Sequence, residues 1–126
     1  MGKKIQIKAG SIAVLAELND TKTAQAIWRA LPFKSHVNLW GEEIYFPIPL
    51  SLELEDGQEV VSIGDLGYWP EGNAFCIFFG PTPVSQVGEI RPASAVTVFG
   101  RITSDAAILK QVRSGTEITV VGERNG

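Results

Sequence analysis

The residues of this chain able to do chemistry are few, and most of them fall between His36 and Arg91. Strand alternation places His36, Asn38 and Trp40 on one side and Val37 and Leu39 on the other, and Gly41-Glu42 then reverses the chain into Ile44-Tyr45-Phe46. By the same alternation Glu43 and Tyr45 are expected to lie beside the first set across the turn, with Trp69 or Tyr68 adding an aromatic wall. A concave surface carrying imidazole, amide, carboxylate and phenol has the chemistry of a small-ligand or peptide site. The alternative is a solvated sheet face with ordinary His-Glu or Asn-Tyr cross-strand contacts. His36 with Glu43 would form an oriented general base, but Ser35 faces the opposite side of the strand and cannot be its nucleophile. One histidine and one cysteine cannot build a structural zinc site or an internal disulfide within the chain. Cys76, between Phe75 and Ile77, reads as a small core residue with an inert thiol. No Gly-x-Ser-x-Gly elbow, phosphate loop or His-Glu-x-x-His helix is present, and Glu53, Glu55, Asp56 and Glu59 lack the spacing of a calcium loop and read as a solvated turn. No catalytic residue, metal or cofactor is therefore assigned.

The elements that would position these residues are mainly strands. Ile5 and Ile7, then Ile12, Val14, Ala16 and Leu18 after Gly10, give a hairpin with one face inward. Asn19-Asp20-Thr21 has the pattern of a glycosylation acceptor but is read as a turn and helix cap, since Ala24, Ile27, Trp28 and Leu31 follow at helical spacing up to Pro32. Trp28 on that stripe is expected to be a core anchor. Pro47 and Pro49 forbid regular central pairing, so residues 47–55 are expected to run along an edge or bend over an end, closing in an Asp56-Gly57 turn. Pro70 and a positive-φ Gly72 would set Tyr68-Trp69 against Phe75 to Phe79, a run without polar alternation that needs both faces covered, as in a closed barrel capped by a helix. Val96 to Ile102 reads as a strand in which Gly100 marks a bend or close contact; Ser104 or Asp105 then caps a second helix carrying Ile108, Leu109 and Val112, and Ile118 and Val120 close the pattern. The tail from Glu123 to Gly126 is expected to fray.

At 126 residues, 44% apolar and 20% charged, the chain is read as a single domain, 1–126, with about eight strands, two short helices and no internal repeat. A net charge of -3 with scattered basic residues argues against nucleic-acid or anionic-membrane partners. Lys3 and Lys4 precede no apolar signal region, and no apolar run approaches the about 20 residues of a membrane helix, so a cytoplasmic location is expected.

Two segments carry a family resemblance. Val96-Thr97-Val98-Phe99-Gly100-Arg101-Ile102 resembles the cyclophilin strand built on Val-Phe-Gly-Lys-Val, and Gly72-Asn73-Ala74-Phe75-Cys76-Ile77 resembles its Gly-Ser-Gln-Phe-Phe-Ile strand. The fragment Gly64-Asp65-Leu66-Gly67-Tyr68-Trp69-Pro70-Glu71-Gly72-Asn73-Ala74, closing in Phe78-Phe79-Gly80-Pro81-Thr82-Pro83, is more similar still to short prokaryotic cyclophilin-like proteins, which have no settled biochemical role. The resemblance implies a mainly β, closed eight-stranded cyclophilin-like barrel with a short helix over each opening.

It also implies where a prolyl isomerase site would lie. Cyclophilins hold a proline-containing peptide on the outer barrel face, with an arginine favouring the twisted amide against a barrier of about 18–20 kcal/mol. Asn38 falls at the position of that arginine, Ala74 at the glutamine, Cys76 at the phenylalanine floor of the proline pocket, Val96 at the histidine and Arg91 near the loop tryptophan. Arg91 or Arg101 would have to serve as the donor. The leading expectation is thus a binding module without isomerase activity, holding a small molecule or short peptide on the outer face through His36, Asn38, Glu43, Tyr45, Trp69, Ala74, Cys76 and Arg91. The alternatives are a divergent prolyl isomerase and an interaction subunit that forms a homodimer through Tyr68, Trp69 and the Pro47-Pro49 segment.

Overall fold

The computed structural model describes residues 2–123. Strands β1 (Lys4–Ala9) and β2 (Ile12–Leu18) form the expected hairpin about Gly10, whose φ of 61° suits glycine. Helix α1 (Lys22–Ala30) follows, with Thr21 as N-cap accepting the Ala24 N–H at 3.0 Å. Ala24 and Ile27 are buried, and the half-buried Trp28 packs against the same core. Glu55 is more than part of a solvated turn: its carboxylate accepts the backbone N–H groups of Lys22 (3.1 Å) and Thr23 (3.0 Å) and so closes the first turn of α1. Those N–H groups, that of Thr23 foremost, hold its pKa below the ordinary range.

The remaining strands are β3 (Phe33–His36), β4 (Asn38–Leu39), β5 (Glu43–Pro47), β6 (Asp65–Trp69), β7 (Ala74–Phe78), β8 (Thr97–Ile102) and β9 (Glu117–Gly122), in the spatial order β3-β9-β1-β2-β8-β6-β7-β5-β4. Only Val37 separates β3 from β4, so the two ends of the sheet are joined by one residue and the sheet curls into a nearly closed barrel. This accounts for nine strands where eight were expected. The segment read as one strand pairs first with β9 and then, after the buried Val37, with β5. The second helix expected from the sequence is a 3₁₀ segment, Ala106–Gln111, whose N-cap Asp105 accepts the Ala107 N–H; a further short 3₁₀ turn, Pro70–Gly72, precedes β7. Among the described residues no helix is long and apolar enough to cross a membrane.

One expectation about turns needs correction: the positive φ before β7 falls on Asn73 (48°) and not on Gly72. At the Asp56-Gly57 turn it falls on Asp56 (46°). Gly72 is needed for a different reason, since a Cβ there would lie 2.6 Å from the Trp69 ring. Gly100 marks a close approach, where a Cβ would stand 2.6 Å from the Glu17 carbonyl oxygen. Opposite β6, Leu66 faces Gly100 and Gly67 faces Val98, leaving Phe99 as the extra residue of a bulge.

The barrel interior is built around Phe75. Its ring stacks on Phe46 and meets Phe99 edge-on, both at 5.0 Å, with Phe33 at 6.4 Å. Tyr68 also belongs to this interior: it is fully buried, and its hydroxyl donates to the Leu50 carbonyl at 2.8 Å and accepts the Leu52 N–H at 3.0 Å. This corrects its placement as an exposed aromatic or ligand wall, and the expected homodimer patch loses it. The same bonds tie Leu50 and Leu52 to the barrel interior, but Pro47, expected to lie outside regular pairing, ends β5 opposite Ala74, so the irregular segment begins only after it.

Candidate functional site

Every residue of β7 is buried, but on two different sides. Phe75 and Ile77 enter the barrel, whereas Ala74, Cys76 and Phe78 face outward into a second apolar cluster with Val61, Ile90 and Val96. The outer cover is therefore irregular chain from 58–64 and 90–96, not a helix. It is tied down at Gln58 and Val96, and at Val61 and Ile90, by isolated antiparallel bridges. Gly67 allows it to come close, since a Cβ there would meet the Val96 Cγ2 at 2.9 Å and Phe78 at 3.1 Å.

This cover leaves a hollow of about 240 Å³ on the outer face, lined by Trp40, Glu43, Tyr45, Trp69, Cys76, Pro92, Ala93 and Val96. Trp40 and Glu43 flank the Gly41-Glu42 turn and exchange backbone hydrogen bonds of 3.0 and 3.2 Å, with Gly41 at φ 60°. Tyr45 lies directly opposite Cys76 in the β5–β7 pairing. Trp69 is fixed by its indole N–H, which donates to the Ser94 hydroxyl at 2.6 Å; that hydroxyl in turn donates to the Glu71 carboxylate. Gly72 packs against the ring.

Glu43 is the charged group of the hollow. It is only 6% exposed, and burial pushes its carboxyl up to about 7, opposed by the neighbouring Cys76 thiol, which also donates to the Ala74 carbonyl at 3.9 Å. Burial, and then the neighbouring Glu43, push the thiol well above its ordinary value, so the thiolate that a nucleophile or metal ligand requires is disfavoured. A carboxyl poised between its two forms at neutral pH can donate or accept a hydrogen bond, or stand as a charge.

Of the eight residues expected at the site, Glu43, Tyr45, Trp69 and Cys76 are brought together here. The other four lie off the lining. His36 is exposed on β3 opposite Glu117, separated from Glu43 by the break at Val37, so the two do not form an oriented base. Asn38 is exposed and donates its amide to the Tyr45 carbonyl at 3.3 Å. Ala74 is buried under the outer cluster. Arg91 is held by Glu89, with Nε to Oε2 at 2.8 Å, and lies 3.9 Å from Glu59. Trp40 shares the alternation that picked out Asn38 and belonged with the candidates. Pro92 and Ala93 come from irregular chain whose course no local pattern reveals, and Val96 stands where the resemblance puts a cyclophilin histidine. Among the described residues no group of three or more His, Cys, Asp or Glu side chains converges as a metal site would.

Comparison with known proteins agrees with the fold. The profile of the cyclophilin-like family matches residues 3–121. The chain belongs to the cyclophilin-like family. This cyclophilin-like chain is also similar to a hypothetical protein of Archaeoglobus fulgidus known from a solution structure. The two are 41% identical with a TM-score of 0.82, over 97% of this chain and 95% of the other. No functionally curated protein matches the chain.

Proposed function

We propose that this cyclophilin-like chain is a binding module that holds a small molecule or short peptide in the outer hollow, without prolyl isomerase activity. The observation that carries the reading is the buried Glu43 carboxyl set among three aromatic side chains in a preformed concavity. The absence of catalysis is inferred from charge. No arginine lines the hollow, the Asn38 amide is engaged by backbone, and Arg91 is committed to Glu89. Isomerisation needs a donor at the prolyl nitrogen, and these residues offer none there. A fragment screen read by tryptophan fluorescence and by chemical shifts is expected to return ligands that move the signals of Trp40, Glu43, Tyr45 and Trp69. Hits confined to other surfaces would overturn the binding site. In a coupled cis-to-trans proline assay the expected rate equals the uncatalysed one, and saturable acceleration would restore the isomerase reading.

A further inference from the structure

We propose that the ligand of this hollow is a small organic cation, an alkylated ammonium group caged by Trp40, Tyr45 and Trp69 with Glu43 as its counter-charge; this rests on the binding reading above. The one side chain of the lining that becomes charged near neutral pH is acidic. Three of the lining residues are aromatic, with electron-rich ring faces that attract cations, and Cys76, Pro92, Ala93 and Val96 are apolar or weakly polar. No lysine, arginine or histidine is among the lining residues, so an anionic ligand would meet Glu43 with nothing to balance it. An uncharged apolar ligand would bury the carboxyl further and leave it unmatched.

The ion pairs of the described residues sharpen the point. Lys110 lies 3.9 Å from Glu42, Lys34 pairs with Glu117, and Arg91 with Glu89 and Glu59; none involves Glu43. The half-buried Glu42 has a cation beside it while, among the described residues, the buried Glu43, one residue on, has none. Burial without a counter-charge is what pushes its pKa upward, and a bound ammonium would supply the missing charge. Alkyl substituents suit the apolar walls and lower the cost of stripping water from the cation. The other titratable groups at the hollow are the Cys76 thiol on β7 and the Tyr45 phenol on β5; the segment from Pro92 to Val96 contributes none.

Choline, its uncharged carbon isostere 3,3-dimethyl-1-butanol, and a short peptide bearing trimethyllysine are the probes, titrated into the whole protein and followed by tryptophan fluorescence. At about pH 8, where Glu43 is ionised, a trimethylammonium probe is expected to bind at least about tenfold more tightly than the alcohol. Preference for choline or for the peptide assigns the cation to a free molecule or to a modified side chain. Lowering the pH to about 5.5 is expected to weaken cation binding severalfold and leave the alcohol unaffected. Glu43→Gln should remove that pH dependence, and the wild-type pH profile reads the same effect if the variant does not fold. Equal affinity for cation and alcohol would overturn the cation and leave the binding module standing. Failure of both trimethylammonium probes would overturn the cation outright, with the fragment screen deciding the binding module separately.

Discussion

The two sides of β7 differ in how completely they are finished. Inside the barrel, Phe75 is enclosed by Phe33, Phe46 and Phe99. Outside, one residue further on, Cys76 sits beneath a cover that closes over Ala74 and Phe78 but leaves the hollow beside Tyr45 and Glu43. The inner face is sealed by neighbouring strands and the aromatic rings they carry; the outer face is sealed by irregular chain, whose fit depends on a few anchors such as Trp69 to Ser94. A stable scaffold and an open site can therefore occupy opposite faces of one strand. Truncation inside should damage the fold most. Phe75→Ala is expected to cost about 3–5 kcal/mol in urea denaturation, and a loss well under that would mean the interior is less tightly packed than its ring geometry indicates.

The outer face should instead announce itself through pH. Because the folded pKa of Glu43, about 7, lies above its ordinary 4.5, the folded state holds the proton over that interval. The contribution to stability is therefore greatest below about pH 4.5, falls as pH rises through about 7, and is level beyond, with a span on the order of 3 kcal/mol. Glu43→Gln cannot ionise, so its stability relative to wild type should grow across this range. Parallel pH profiles for the two proteins would show that the carboxyl is solvated and the hollow unlike a binding site.

Much of the interior was legible in the sequence because it obeys local periods. The alternation from Ile5 to Leu18, the Ala24-Ile27-Trp28 stripe and the unbroken Ala74–Phe78 run each require a partner surface, and a closed barrel supplies it. Tyr68 was misplaced because a tyrosine beside a tryptophan carries no mark of which one turns inward. Its hydroxyl, bonded to Leu50 and Leu52, is what makes burial affordable. Tyr68→Phe leaves those backbone groups unmatched and should cost about 2 kcal/mol, measured as before. The site was half legible. Glu43, Tyr45 and Trp69 follow from alternation about one turn, whereas the chain from Pro92 to Val96 arrives from far along the sequence with no period to announce it. His36 was drawn in because the break at Val37 has no signal beyond an apolar residue between two strands.

The smallest expected effect tests how the two faces meet at Cys76. Its thiol donates to the Ala74 carbonyl at 3.9 Å and, as a donor beside the Glu43 carboxyl, opposes the rise that burial imposes. Cys76→Ala removes that donor and little else, because the residue is small, buried and outside the aromatic interior. Stability at neutral pH should fall by only about 1 kcal/mol, far less than for Phe75→Ala. The Glu43 pKa should move further above about 7, read from the carboxyl carbon shift in an NMR titration. An unchanged titration would mean that the thiol does not reach the carboxyl and that burial alone sets its charge. A large stability loss would instead make Cys76 part of the sealed core, and the contrast between the two faces of β7 would disappear.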